Sequence, residues 1–177
     1  MFRAIAIAAT LLLAACHGRP ELEDYAEDGP PLVLEEYFAG DLTAWGVFQD
    51  RFGDVRRQFV VDLEGTWDGT TLTLVEDFVY DDGEEEQRIW RLTKSGPDTW
   101  QGSAAGVIGP ATGEIAGNAF NWTYTIDLPI GDGETMVVSF DDWMWLQDEE
   151  TLFNLAYMSR YGIEIGRVMI FFRKDTP

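Results

Sequence analysis

Apolar and polar residues alternate with a period of two through most of the chain after Gly40, and that period predicts strands. From Arg57 to Trp67, Phe59, Val61, Leu63 and Trp67 share one face, and Gln58, Asp62, Glu64 and Thr66 share the other. Leu72, Leu74, Phe78 and Tyr80 then line one face and run into Asp81-Asp82-Gly83. A three-residue loop with Gly third closes a hairpin through a left-handed bulge residue. That register sets Tyr80 opposite Glu84, Leu74 opposite Trp90 and Leu72 opposite Leu92. It also sets Glu76 opposite Arg88 on the apolar face, about 5 Å apart at Cβ, and so predicts an ion pair.

Asn118 to Leu128 alternates again, with Phe120, Trp122, Tyr124, Ile126 and Leu128 on one face. Met136, Val138, Phe140, Asp142 and Met144 share the next strand's face, while Trp143 and Trp145 make its outside apolar too. Between them, the small residues from Gly102 to Gly117 suit strands that bend sharply or pass close to a neighbour. Residues 148–160 carry mixed signals. Asp148, Glu149 and Glu150 would cap a helix ending at Gly162, yet Thr151, Phe153 and Tyr157 favour a strand, and a strand is expected. Residues 32–38 fit one helical turn or a short strand equally well. Ile163 to Phe172 is a last apolar strand. Eight to ten antiparallel strands joined by short turns give an all-β fold, either a closed up-and-down barrel or a sandwich.

The first residues follow another logic. Met1-Phe2-Arg3 is a short cationic start, and Ala4 to Ala14 is apolar apart from Thr10. The run is too short to span a bilayer, which takes about 20 residues, but it suits a secretory signal. Leu13-Ala14-Ala15-Cys16 resembles the lipobox of bacterial lipoproteins. Small residues at 14 and 15 admit a peptidase, and the thiol takes a diacylglyceryl group. The expected organisation is therefore a signal peptide over 1–15, a lipidated acidic tether over 16–31 and one barrel domain over 32–177. His17 follows the cysteine where Asp commonly retains a lipoprotein at the inner membrane, so attachment to the outer membrane, facing the periplasm, is expected.

Charge narrows the partners. The chain carries 12 Lys and Arg against 32 Asp and Glu, a net −20 at pH 7. Nucleic acid is excluded, because phosphate neutralisation supplies most of the affinity for it. The single His and the single Cys both sit at the anchor, so the domain has no nucleophile–His pair, no His-bearing metal site and no thiol catalysis. No Gly-rich loop between strand and helix supports a nucleotide, and no cofactor is expected.

What remains is a polar set on otherwise apolar faces, Glu76, Arg88, Asn118 and Asp142. Trp45, Trp67, Trp90, Phe120, Trp122, Tyr124 and Phe140 are the candidate aromatic lining around it, with Trp45 closing one end of the barrel. Two roles suit this set. It could orient a small ligand in a barrel, or it could be a structural ion pair with hydrogen-bonded core neighbours.

Several motifs together resemble an uncharacterised bacterial lipoprotein family, domain of unknown function 3833. They are Phe38-x-Gly40, Trp45-Gly46-x-Phe48-x-Asp50-Arg51-x-Gly53, the Glu76–Gly83 hairpin with Arg88-x-Trp90, Gly117-Asn118-Ala119, Asp142-Trp143-Met144 and Phe171-Phe172-Arg173-Lys174. The resemblance covers nearly all of the chain from residue 32 and implies a lipocalin-like (calycin) barrel. Gly106 departs from it, standing where an acidic residue is expected. Members accompany enzymes that modify membrane lipids, which implies an acyl-chain ligand. Three functions follow as expectations. The first is a non-enzymatic carrier of a fatty acid or other small apolar molecule. The second is a solid scaffold docking a protein partner through Trp143 and Trp145. The third is an enzyme using Glu76 or Asp142 on an apolar substrate.

Overall fold

The structure is a computed structural model and describes residues 18–131 and 133–175. The expected signal peptide and the expected lipidation site, Cys16, lie outside the described residues. Ten antiparallel strands close into one up-and-down barrel, each strand paired to its sequence neighbours and β1 to β10. They are β1 (Gly40–Asp50), β2 (Val55–Trp67), β3 (Thr71–Tyr80), β4 (Glu85–Lys94), β5 (Thr99–Ser103), β6 (Ala111–Ala116), β7 (Ala119–Gly131), β8 (Glu134–Leu146), β9 (Thr151–Arg160) and β10 (Ile163–Lys174). Closure leaves no free sheet edge, which is how an all-β chain of this composition avoids pairing with other copies.

The alternation read from β2 is seen directly: Phe59, Val61, Leu63 and Gly65 are buried, and the residues between them are exposed. Residues 148–160 form a strand. Asp148 does cap, but it caps a tight turn: its Oδ1 accepts hydrogen bonds from the backbone N–H groups of Glu150 (2.9 Å) and Thr151 (2.8 Å). Leu152, Asn154, Ala156 and Met158 then point inward.

Residues 32–38 resolve to a single helical turn, α1 (Leu34–Tyr37), lying across one end of the barrel. Leu34, Tyr37 and Phe38 are buried there. The Tyr37 hydroxyl donates to the Glu150 carbonyl at 3.2 Å, Lys174 Nζ donates to the Glu36 carbonyl at 2.8 Å, and Glu35 pairs with Lys94. Phe38 meets Phe172 edge-on, with ring centroids 5.9 Å apart. This turn, and not Trp45, is the floor of the barrel. The hairpins β1–β2, β3–β4, β7–β8 and β9–β10 surround the opposite end.

Within the segment expected to be an acidic tether, the described residues from Arg19 onward lie against the outside wall. Arg19 Nη2 bonds Glu164 Oε2 at 3.1 Å, and its guanidinium lies 3.5 Å from the centre of the Tyr157 ring. A short 3-10 turn, Leu22–Tyr25, follows. Tyr25 packs on Trp143 and Trp145 at centroid distances of 6.3 and 5.9 Å. The Leu32 N–H then donates to the Gly117 carbonyl at 2.9 Å. Gly117 has φ +53°, and a Cβ there would collide with the carbonyl oxygens of Tyr25 and Asp28. The apolar outer face of β8 is what recruits this acidic stretch. Its self-repulsion is outweighed by aromatic contact.

Candidate functional site

The β3–β4 hairpin positions the site. The Gly83 N–H donates to the Tyr80 carbonyl and the Tyr80 N–H to the Glu84 carbonyl, both at 2.9 Å. Gly83 supplies the left-handed residue with φ +84°, open to Gly without strain. Glu76 accordingly lies directly opposite Arg88. Their side chains, however, do not form the expected ion pair. Arg88 Nη2 reaches Glu86 Oε1 at 2.8 Å, and the Tyr80 hydroxyl donates to Glu86 Oε2 at 3.0 Å. Glu86 is the better partner because it stands two residues nearer the mouth. There its side chain stays 40% exposed and keeps more of its hydration than Glu76, whose carboxyl is raised first by burial. Arg57 covers the Tyr80 ring at 3.7 Å and bonds Asp82 and Glu84, so the mouth carries its own ion network.

Between the mouth and α1 lies a cavity of about 480 Å³. Its walls are aromatic and aliphatic: Phe59, Phe78, Trp90, Phe120, Trp122 and Phe140, with Leu34 and Phe38 below. Tyr124 stacks on Phe140 at 4.9 Å and meets Trp90 edge-on at 5.0 Å, which fixes the ring that carries its hydroxyl. Glu76, Arg88, Tyr124 and Asp142 all line this one volume. Asp142 is 7% exposed, and its Oδ1 has no hydrogen-bond partner among the described residues.

Burial governs the electrostatics. It pushes the Glu76 carboxyl up to about 7; nearby Arg88 opposes the shift, and Glu86 adds to it. Burial also drives Asp142 well above the usual carboxylate range, helped by Asp141 and opposed by Arg88. The Tyr124 hydroxyl is pushed up by burial first and by Asp142 second. Burial works against the Arg88 charge, yet Glu76, Tyr124 and Glu86 outweigh it and hold the guanidinium protonated.

The Glu76 shift fixes a sign. Folding raises its pKa from 4.5 to about 7, so the folded state binds the proton more tightly. Stability is fully present below the unfolded value and is lost as pH climbs through 7. Glu76→Gln removes that loss. The variant is expected to match wild type near pH 4 and to exceed it at pH 8 by on the order of 2 kcal/mol, the cavity-facing surface of Glu76 moderating the full shift. Urea unfolding at both pH values checks this, and a variant less stable than wild type at pH 8 would refute it.

Three sequence-predicted site residues stand elsewhere. Trp45 is on the outer face, 40% exposed, beside Phe171 and with the Arg173 guanidinium 5.3 Å from its ring. The inward positions of β1 are Leu42, Ala44 and Gly46, and Gly46 leaves room for the Phe59 ring. Trp67 packs against Trp100, 6.0 Å between centroids, below the cavity. Asn118 sits in the β6–β7 turn, where its Nδ2 donates to the Leu146 carbonyl at 3.0 Å. Trp90, Phe120, Trp122, Tyr124 and Phe140 do line the cavity. Sequence reasoning missed Tyr80, Glu86 and Asn154. Parity alone places Glu86 on the face of Arg88, and strand parity in β9 places Asn154 inward. Among the described residues, no group of three His, Cys, Asp or Glu is arranged to hold a metal ion.

Comparison with known families decides kinship. The family model described as "Protein of unknown function (DUF3833)" matches residues 10–174, beginning within the N-terminal apolar run and ending with β10. The chain belongs to the DUF3833 family. No curated protein matches it. Among solved structures, this DUF3833 barrel is similar to the S-type phycobiliprotein lyase CPES from Guillardia theta, at TM-score 0.61 and 8% identity, over 81% of this chain and 91% of that one. It is also similar to Rv2717c from M. tuberculosis, at TM-score 0.57 and 12% identity, over 82% and 99%. At these identities the likeness is one of fold.

Proposed function

We propose that this DUF3833 protein is a ligand-binding lipoprotein. Anchored through acylated Cys16 to the outer membrane and facing the periplasm, it holds a small, largely apolar molecule inside the barrel. The observation that carries this reading is the cavity. Its volume of about 480 Å³ lies within the roughly 300–1,000 Å³ of small-molecule sites. Its composition also suits such a site, with aromatic walls and a few converging polar groups. An acyl chain is the ligand class that the family resemblance favours. A solid scaffold has less support, because Tyr25 already packs against Trp143 and Trp145, the residues that were to dock a partner.

Native mass spectrometry of the purified soluble domain tests the reading. A reproducible adduct in the mass range of a single lipid, lost on denaturation, is expected. Repeated absence of any adduct would count against binding. Fractionation of cells carrying Cys16→Ser tests the anchor separately, and that variant is expected to leave the membrane fraction.

A further inference from the structure

We infer that the ligand's polar head is a hydrogen-bond donor, a primary ammonium or a hydroxyl, and not a carboxylate. This deepens the proposed binding function and rests on it. The cavity wall holds two cations, Arg57 and Arg88, and five carboxyl groups, Glu76, Glu84, Glu85, Glu86 and Asp142. Both cations are already charge-paired, Arg88 with Glu86 and Arg57 with Asp82 and Glu84. Carboxyl groups are in surplus over guanidinium groups. Asp142 faces the cavity between Phe140 and Met144 with Oδ1 unpartnered. The neighbouring amides do not serve its carboxyl, for Asn154 Nδ2 donates to the Trp143 carbonyl and Asn121 Nδ2 to Asp141 Oδ1 and the Asp142 carbonyl. Neither the Glu76 carboxyl nor the Tyr124 hydroxyl has a hydrogen-bond partner among the described residues.

A donor head answers that surplus. It can meet Asp142 and Glu76, while the Tyr124 hydroxyl accepts from or donates to it. A carboxylate head would add a negative charge to a wall whose two guanidinium charges are already balanced, beside the charge of Glu86. It could settle only against an acid that holds its proton, whereas a donor head is met by these carboxyls in either form. Approach favours the same choice. Glu84, Glu85 and Glu86 stand at the mouth, and a chain of net charge −20 attracts cations and repels anions from a distance.

The test compares three probes with one alkyl chain, dodecylamine, dodecanol and dodecanoate, each below its micelle concentration. The full chain carrying Cys16→Ser is titrated at about pH 8, followed by the fluorescence of the cavity tryptophans. At least one donor probe is expected to bind about tenfold tighter than dodecanoate, as a charge-assisted hydrogen bond to a buried carboxylate warrants. If Asp142→Asn weakens dodecylamine but not dodecanol, the head is the ammonium; if it weakens both, the shared donor suffices. Dodecanoate binding as tightly as the others overturns the inference and leaves the binding function standing. Binding of none of the three overturns both. Should Asp142→Asn fail to fold, the wild-type ranking of the three probes still decides.

Discussion

Arg88→Met is expected to lower the unfolding free energy by on the order of 2 kcal/mol at pH 8, short of the roughly 3–5 kcal/mol for a fully buried pair because Glu86 stays 40% exposed. Arg88 is the countercharge of Glu86 and the nearest cation acting on Glu76, Asp142 and Tyr124. Without it, the Glu76 carboxyl rises further above its already raised value. The loss therefore grows with pH, and it is smaller near pH 5, where Glu76 is protonated in both proteins. Replacing Glu76 by Gln in the same chain is expected to recover part of the loss. The double-mutant cycle should then show coupling beyond the few tenths expected of independent sites. Chemical unfolding at the two pH values measures all four corners. Strict additivity, with equal losses at both pH values, would show that the two residues do not share one electrostatic environment.

Gly65→Ala is the second large effect, and its cause is purely steric. Where the chain leaves α1 and enters β1, the Phe38 carbonyl passes over Gly65 in β2, and a Cβ would fall inside that oxygen's van der Waals shell. The obstacle is backbone. It cannot swing aside as a flexible side chain would, and Phe38 is also held by Phe172. The cost is expected to exceed about 3 kcal/mol, at the upper end for an overpacked core. It should appear as a floor displaced from the barrel, with Tyr37 losing its contact to the Glu150 carbonyl. Thermal unfolding together with amide exchange at Tyr37 and Phe38 tests this. An unchanged midpoint would mean that α1 does not close this end.

The strands were readable because one face of each is buried, so period-two alternation survives in the sequence. The Glu76–Arg88 register was readable for a more local reason, the Asp81-Asp82-Gly83 loop. What that register could not supply was the side-chain partner. Arg88 chooses between Glu76 across the hairpin and Glu86 two residues away by relative hydration, which depends on distance from the mouth. Trp45 misled because its two inward neighbours in β1 are small. Ala44 and Gly46 leave Trp45 the most conspicuous apolar position on a strand where it faces out. The α1 turn spans only four residues, too few to show a helical period. The docking of the acidic N-terminal segment depends on Tyr25 finding two tryptophans more than a hundred residues away. No local pattern reports such a contact.

With the proposed acyl anchor on Cys16, that docked segment would also set an orientation. Arg19 is fastened beside Glu164, among the hairpins that ring the mouth, whereas the chain reaches α1 at the far end only later. Cys16 precedes Arg19 by three residues, which span at most about 11 Å when fully extended. A protein held by acyl groups on that cysteine would sit mouth-down, its opening within roughly one Debye length of the lipid headgroups at 0.1 M salt. An amphiphile could then pass between bilayer and barrel without a free excursion through the aqueous phase. Loading would depend on the surface density of the amphiphile in the membrane more than on its solubility in water.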